Sequence, residues 1–358
     1  MPQITTVDAR GLFTKMLVAV YKETTRPTSF LRSFFRVVEN DTKELSIEVM
    51  RGTEKIAVDV LRGTEGNRNE FSRSSEKIFI PPYYREYFDA TDLDFYDRLF
   101  GAAGGQVDVL TFEGWLVKVA EKLRLLQDKI ERAYELQAAQ VFSSGIVTLV
   151  NGDNIDFKRK AASLLVLGGG DLWSAAASDP INDLKVAAKF LRTAGKSTGG
   201  VVNAVFGELA LDAFLANAAV KGRADIRNFK LDDITGPQRE ATGGVLHGRV
   251  TVGSWEVNIW TYPEFRDLNG VSTPYIDDKE VFVIPLQPNF VHGFASVPKI
   301  FRDSGNAEFP EFIQQVRAAF VIGNYVDSRT DKHVFDIKSA GLPIPVAIDQ
   351  IHTTKVLA

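Results

Sequence analysis

Glu131-Arg132-Ala133-Tyr134-Glu135-Leu136-Gln137-Ala138-Ala139-Gln140 ends a long helical pattern, and Val141-Phe142-Ser143-Ser144-Gly145 carries it to a glycine stop. Directly after it come Ile146-Val147-Thr148-Leu149-Val150, the turn Asn151-Gly152-Asp153-Asn154, and Ile155-Asp156-Phe157-Lys158. The apolar period falls from 3.6 to 2 across Gly145, and Asn-Gly between alternating runs is the strongest short-range hairpin signal. Upstream, Leu116, Val119, Leu123, Leu126, Ile130 and Ala133 recur at spacings of three and four, with Lys and Glu opposite and no Gly or Pro between Gly114 and Gly145. This predicts one helix over about 111–143, a rod of roughly 45 Å at 1.5 Å per residue. Gln137 and Gln140 close the seam and apolar contact moves to Tyr134, Ala138 and Val141, so a helix packed on a sheet is expected in place of a coiled coil.

Downstream the pattern is α+β. Helices are expected at 180–193, 209–219 and 311–320, and strands at 201–205, 248–261, 281–285, 333–338 and 346–356. Gly168-Gly169-Gly170 reads as a flexible link between two domains, the number that 358 residues suggest.

Upstream of the helix the chain behaves differently. Residues 45–50, 56–61 and 77–80 alternate as half-exposed strands do, with Arg51-Gly52-Thr53-Glu54 as a turn between the first two. From Lys43 to Lys77 the charges are Lys43, Glu44, Glu48, Arg51, Glu54, Lys55, Asp59, Arg62, Glu65, Arg68, Glu70, Arg73, Glu76 and Lys77, seven of each sign and nearly alternating. So charged an excursion cannot bury a core of its own, and it offers opposite-sign pairing to neighbours. Residues 1–36 hold Arg10, Lys15, Lys22, Arg26, Arg32 and Arg36 against Asp8 and Glu23, a surplus of +4, with the aromatic cluster Phe30, Phe34 and Phe35. This arm is expected to dock on something else.

Composition removes several chemistries. There is no cysteine, which excludes disulfides, thiolate catalysis, zinc knuckles and iron–sulfur clusters and suits a reducing compartment. A net charge of −4 disfavours a general nucleic-acid binder. Nowhere do about 18 apolar residues run without a charge, so no membrane partner is expected. His247, His292, His333 and His352 stand singly, without metal-ligand spacing. The triple glycine lacks the residues of a phosphate loop, Asp277-Asp278 falls in a turn where carboxylates cap amides, and no Gly-x-Ser-x-Gly occurs. No catalytic, cofactor-binding or metal residue is therefore named, no cofactor is expected, and an enzyme is disfavoured.

Several segments, in order along nearly the whole chain, resemble the lambda-type major capsid proteins of tailed bacteriophages, which have the Hong Kong 97-type shell fold. Pro27-Thr28-Ser29-Phe30-Leu31 with Phe34-Phe35 is similar to the family's N-terminal arm, and 45–61 to the strands opening its extended loop. Residues 131–140 with the hairpin to Phe157 look like the end of its spine helix and the following sheet. Trp173 and Asp179-Pro180-Ile181-Asn182-Asp183-Leu184 resemble the start of its axial domain. Val257-Asn258-Ile259-Trp260-Thr261-Tyr262, Asp267-Leu268-Asn269-Gly270 and Pro274-Tyr275-Ile276-Asp277 are similar to that domain's late strands and turn, and Lys338-Ser339-Ala340-Gly341-Leu342-Pro343-Ile344-Pro345 to the closing strand. Pro81-Pro82-Tyr83-Tyr84 departs from the pattern. Lys55 lies in the loop, but no acceptor Asn or catalytic Glu for an isopeptide bond is marked, so no cross-link is expected.

The resemblance implies an arm at 1–42, an extended loop (E-loop) at 43–85, a peripheral domain at 86–164 and 301–358 around a spine helix at about 111–143, and an inserted axial domain at 165–300. It also implies self-assembly as hexamers and pentamers into an icosahedral head around double-stranded DNA held without sequence readout. Portal, scaffolding and decoration proteins would be partners, and the virion, built in the bacterial host cytoplasm, its location. About 40 residues precede the loop, so no fused scaffolding segment is expected and a separate scaffold is. An encapsulin-like compartment and a soluble monomeric enzyme are the alternatives.

Overall fold

The structure, a computed structural model, describes residues 29–49, 75–91, 109–149, 152–224, 229–230, 238–268, 270–302, 311–327 and 332–358. Among these, helix α1 spans Val109–Ser143, α2 Pro180–Thr193, α3 Glu208–Ala216 and α4 Ala218–Ala224. The long rod is thus present, with Leu123, Ile130, Tyr134, Ala138 and Val141 buried along one side. It stops at Gly145, whose φ of +76° is a left-handed conformation that closes the last turn through its N–H to the Gln140 carbonyl. The hairpin follows as expected, with Ile146–Thr148 pairing antiparallel to Asn154–Asp156.

The molecule is organised by an eight-stranded mixed sheet. Its order runs Gln238–Arg239, Val245–Val252, Trp255–Thr261, Val201–Phe206, Glu280–Pro285, His352–Lys355 and Leu164–Val166, with Phe229–Lys230 also pairing Val245–Val252. Side chains alternate across a strand, so the two faces serve two cores. Val202, Ala204, Phe206, Val281 and Val283 pack with Ile181, Leu184, Leu191 and Phe214 of α2 and α3. Val205, Phe282 and Ile284 point the other way, into a core with Phe30, Leu31, Phe35, Ala138, Val141 and Phe142. Phe142 stacks parallel to Phe282, centroids 4.7 Å apart, where the end of α1 meets the sheet.

Two smaller sheets brace α1. Tyr84–Thr91 pairs antiparallel with Lys332–Ser339, which pairs with Val321–Asp327; Tyr84 of this sheet meets Tyr134 of α1 edge-on. Arg36–Glu39 runs parallel to Val291–Phe294, which is antiparallel to Gly341–Ile344.

Several expectations change. Glu311–Val316 is a strand paired with Val297–Arg302, not the start of a helix; Phe312, Ile313 and Val316 satisfy a helical spacing, yet long-range pairing prevails. The helix expected over 209–219 breaks at Asn217, whose extended backbone separates α3 from α4. Gly168-Gly169-Gly170 forms no open link: Gly169–Asp171 is a 3-10 turn, and the adjacent Leu167 donates its N–H to the Lys355 carbonyl. Leu45–Val49 pairs with Ser75–Phe79, while the turn at 51–54 and the strand at 56–61 lie outside the described residues. The final strand, grouped from sequence with the peripheral segments, is hydrogen-bonded inside the large sheet between Glu280–Pro285 and Leu164–Val166.

Candidate assembly site

Residues 29–49 and 75–91 contain the described parts of the segments that the sequence reads as arm and loop, and specific contacts fix them to the body. The arm is not free along its described part. Phe30, Leu31 and Phe35 are buried, and Phe30 lies 5.4 Å from Trp260 and 5.6 Å from Tyr262, ring centre to ring centre. The expectation that the arm docks elsewhere is corrected from Phe30 onward: this part docks on its own chain. Gly244 makes the fit possible, because a Cβ there would stand 2.3 Å from the Phe30 ring.

Beneath this segment α1 presents Gln127, Glu131 and Glu135, buried and spaced by four, hence in one row along the helix. Glu135 Oε1 accepts the Leu31 N–H at 2.8 Å and Oε2 the Arg32 N–H at 3.2 Å, capping the 3-10 turn Leu31–Phe34. The Tyr262 hydroxyl also hydrogen-bonds Glu135. The Arg32 guanidinium lies 3.4 Å from Glu131 and over the Tyr134 ring, and Gln127 donates to Glu131 at 2.5 Å. Burial raises the Glu135 pKa to about 7, against the opposing pull of the two backbone N–H groups and Arg32. Tyr275, nearby, is raised to about 12, by burial first and then by Glu135. His292, wholly buried against Tyr134 and Phe294, is held well below its ordinary pKa by burial and then Arg32, so it is neutral.

Tyr134 completes the node. Ser339 gives its hydroxyl proton to the Ala319 carbonyl, so the Tyr134 hydroxyl donates to Ser339 Oγ at 2.5 Å. The residues 131–140 singled out in the sequence are therefore the side of α1 that holds the arm, and Gln137, read as the end of the seam, donates to the Tyr84 hydroxyl at 2.6 Å.

The loop leaves from an adjoining root. Leu45 is buried, Phe79 rests on Phe157 at 5.3 Å, and Ser296 donates its N–H to the Thr42 carbonyl. At that root Ile78, on a stem of only two strands, and Ile80, just after it, are 59% and 57% exposed. Isolated two-stranded stems are marginal in water, so this one presents apolar surface that wants cover. Of the loop's alternating charges, those at 50–74 lie outside the described residues.

One important residue escaped the sequence reading. Arg159, largely buried, donates to the carbonyls of Phe142, Ser143, Ser163 and Ile351 and to Thr353 Oγ1, at 2.8–3.2 Å. It caps the end of α1 and ties it to the final strand; desolvation lowers its pKa to about 10. The four histidines do not converge, and no group able to hold a metal occurs among the described residues.

A family model described as phage major capsid protein E matches residues 13–355. Two solved structures share the fold. A protein described as a prophage capsid protein (E. coli CFT073) is 14% identical, with TM-score 0.60 over 97% of this chain and 98% of the other. A phage-related protein from Bordetella bronchiseptica RB50 is 11% identical, with TM-score 0.51 over 95% and 96%. No curated protein matches the sequence significantly.

Proposed function

The chain belongs to the phage major capsid protein E family, and from that premise we propose that it assembles as hexamers and pentamers into the icosahedral head shell that encloses double-stranded DNA. It is a structural protein of the virion and not an enzyme. The family match across residues 13–355 carries this reading. Of the arm at 1–42, the part before Phe30 engages neighbours together with the loop at 43–85; the segments 86–164 and 301–358 form the peripheral domain, apart from the final strand, which joins the large sheet of the axial domain at 165–300. Scaffolding, portal and decoration proteins are partners, assembly takes place in the host cytoplasm, and DNA is packed without sequence readout, which a net charge of −4 suits.

The physical support is the mismatch between a well-buried body and a two-stranded stem with Ile78 and Ile80 exposed at its base. Many such modest contacts, each made at high effective concentration, sum to a durable shell without any disulfide. Negative-stain microscopy of the purified protein tests the class: shells, tubes or hexameric capsomers are expected. A strict monomer by light scattering at high concentration would overturn the proposal, and shells carrying an enzyme cargo but never DNA would replace it with a storage compartment.

The loop has its own test. The register that sets Val49 opposite Ser75 lets Asn-Gly replace residues 50–74 as a two-residue turn. This variant should keep its circular dichroism and melting temperature yet form no full-sized shells; normal shells would show the loop to be dispensable.

A further inference from the structure

We propose that the docking of the Phe30–Phe35 segment onto α1 is a proton-linked latch centred on Glu135, closed when that side chain is protonated and weakened when it ionises. The inference is independent of the function proposed above. It starts from geometry: a single buried carboxyl bridges two consecutive backbone N–H groups of a segment that reaches the body from far away in sequence. Undocking would return both the carboxyl and those N–H groups to water.

The surrounding groups fix the sign. Acting on Glu135 are Arg32 from the docked segment and Tyr262 and Tyr275 from the chain after Thr261, with Arg132, Glu264 and Arg266 acting on those tyrosines; on α1, Glu131 lies one helical turn away and is paired with Arg32, and His292 is beside Arg32 and neutral. Arg32, the nearest cation, is shared with Glu131, so it does not neutralise Glu135 alone. Protonated, Glu135 keeps Oε1 as acceptor for Leu31 and gains an O–H that can donate to the Tyr262 oxygen, giving up only the longer bond from Arg32. Ionised, it keeps every N–H bond but bears a buried charge beside the Glu131 carboxylate.

Burial decides the comparison: Glu135 is 2% exposed, and removal from water outweighs the N–H groups and the shared Arg32, raising its pKa from an ordinary 4.5 to about 7. A carboxyl whose pKa is raised in the docked form contributes stability that is complete below the lower value and is lost as pH rises through the higher one. Linkage between these two values makes docking about tenfold weaker at pH 8 than at pH 6.

Hydrogen exchange of the full-length chain, corrected for intrinsic rates and with assembly state held constant by light scattering, reads this directly. Protection of the Leu31 and Arg32 amides should fall about tenfold between pH 6 and pH 8, while amides in the middle of α1 stay constant. Glu135→Gln should remove the slope. Protection that is flat or rises with pH in the wild-type chain overturns the latch, and this measurement requires no variant to fold. A slope that survives in Glu135→Gln but vanishes in Glu131→Gln overturns the assignment to Glu135.

Discussion

Arg159 shows how one side chain can join parts of the chain that no local pattern links. Its guanidinium serves carbonyls at Phe142, Ser143, Ser163 and Ile351, and only the folded topology brings these together. Arg159→Met would strip the Ser143, Ser163 and Ile351 carbonyls of their guanidinium donor, while Phe142 keeps the Thr353 hydroxyl, at a cost of about 3 kcal/mol or more. Arg159→Lys should recover little, because three donors on a point charge cannot replace a planar fork of five. Urea denaturation of the unassembled chain checks both, and a midpoint shift equivalent to under about 1 kcal/mol for Met would refute the role. Other residues were legible because their partners are close in sequence. Asp179 caps α2 by accepting the Asn182 N–H, Pro180 fills the first helical position, and Asp183 takes the Trp173 indole N–H at 2.8 Å. That is the physical content of the Trp173 and Asp179–Leu184 resemblance. Gln127, Glu131 and Glu135 sat between these extremes: their spacing of four was visible in the sequence, but polar residues at that spacing ordinarily face solvent.

At the scale of elements, legibility followed the range of the interactions. α1, α2 and the hairpin after Gly145 rest on local period and turn chemistry, and they stand where the sequence put them. Glu311–Val316 depends on a partner strand elsewhere in the chain, so period alone misassigned it, whereas the strands of the Leu45–Val49 stem were read from their period and only their pairing with each other was not. The arm segment shows the same dependence energetically. Phe30 fills a pocket between Trp260, Tyr262, Phe34 and the bare backbone of Gly244, and truncating a buried Phe costs about 3–5 kcal/mol. Phe30→Ala should therefore undock the segment, and Gly244→Ala should do so from the opposite wall by obstructing the ring. Limited trypsin digestion would report this as faster cleavage at Arg32 and Arg36, while fragments containing α1 and the large sheet persist. If both variants resisted trypsin as well as the wild type, the anchor would lie elsewhere, with Leu31 and Phe35 as the remaining buried candidates.

For the molecule as a whole, the large sheet is a shared wall, since adjacent residues of one strand, Val281 and Phe282, belong to the two different cores. A chain read as two domains should then unfold as one cooperative unit, because neither core can be exposed without opening the other's wall. The C-terminal strand is the sharpest place to test this. His352–Lys355 lies inside the sheet, Ile351 and Val356 are fully buried in different cores, and Thr353 donates to the Phe142 carbonyl at 2.6 Å. Removing residues 351–358 would strip Leu164–Val166 of its pairing partner, bare the edge of Glu280–Pro285 and release Arg159 from two acceptors. The expected outcome is a collapsed, aggregation-prone chain with no sharp melting transition, although the deletion leaves every helix intact in sequence. A fragment spanning 165–300 alone should fail likewise, since it lacks both 352–355 and 164. Separate calorimetric transitions in the full chain, or a folded 165–300 fragment, would mean that the wall belongs to one core only. Durability without disulfides would then have to come from contacts between subunits, not from this shared sheet.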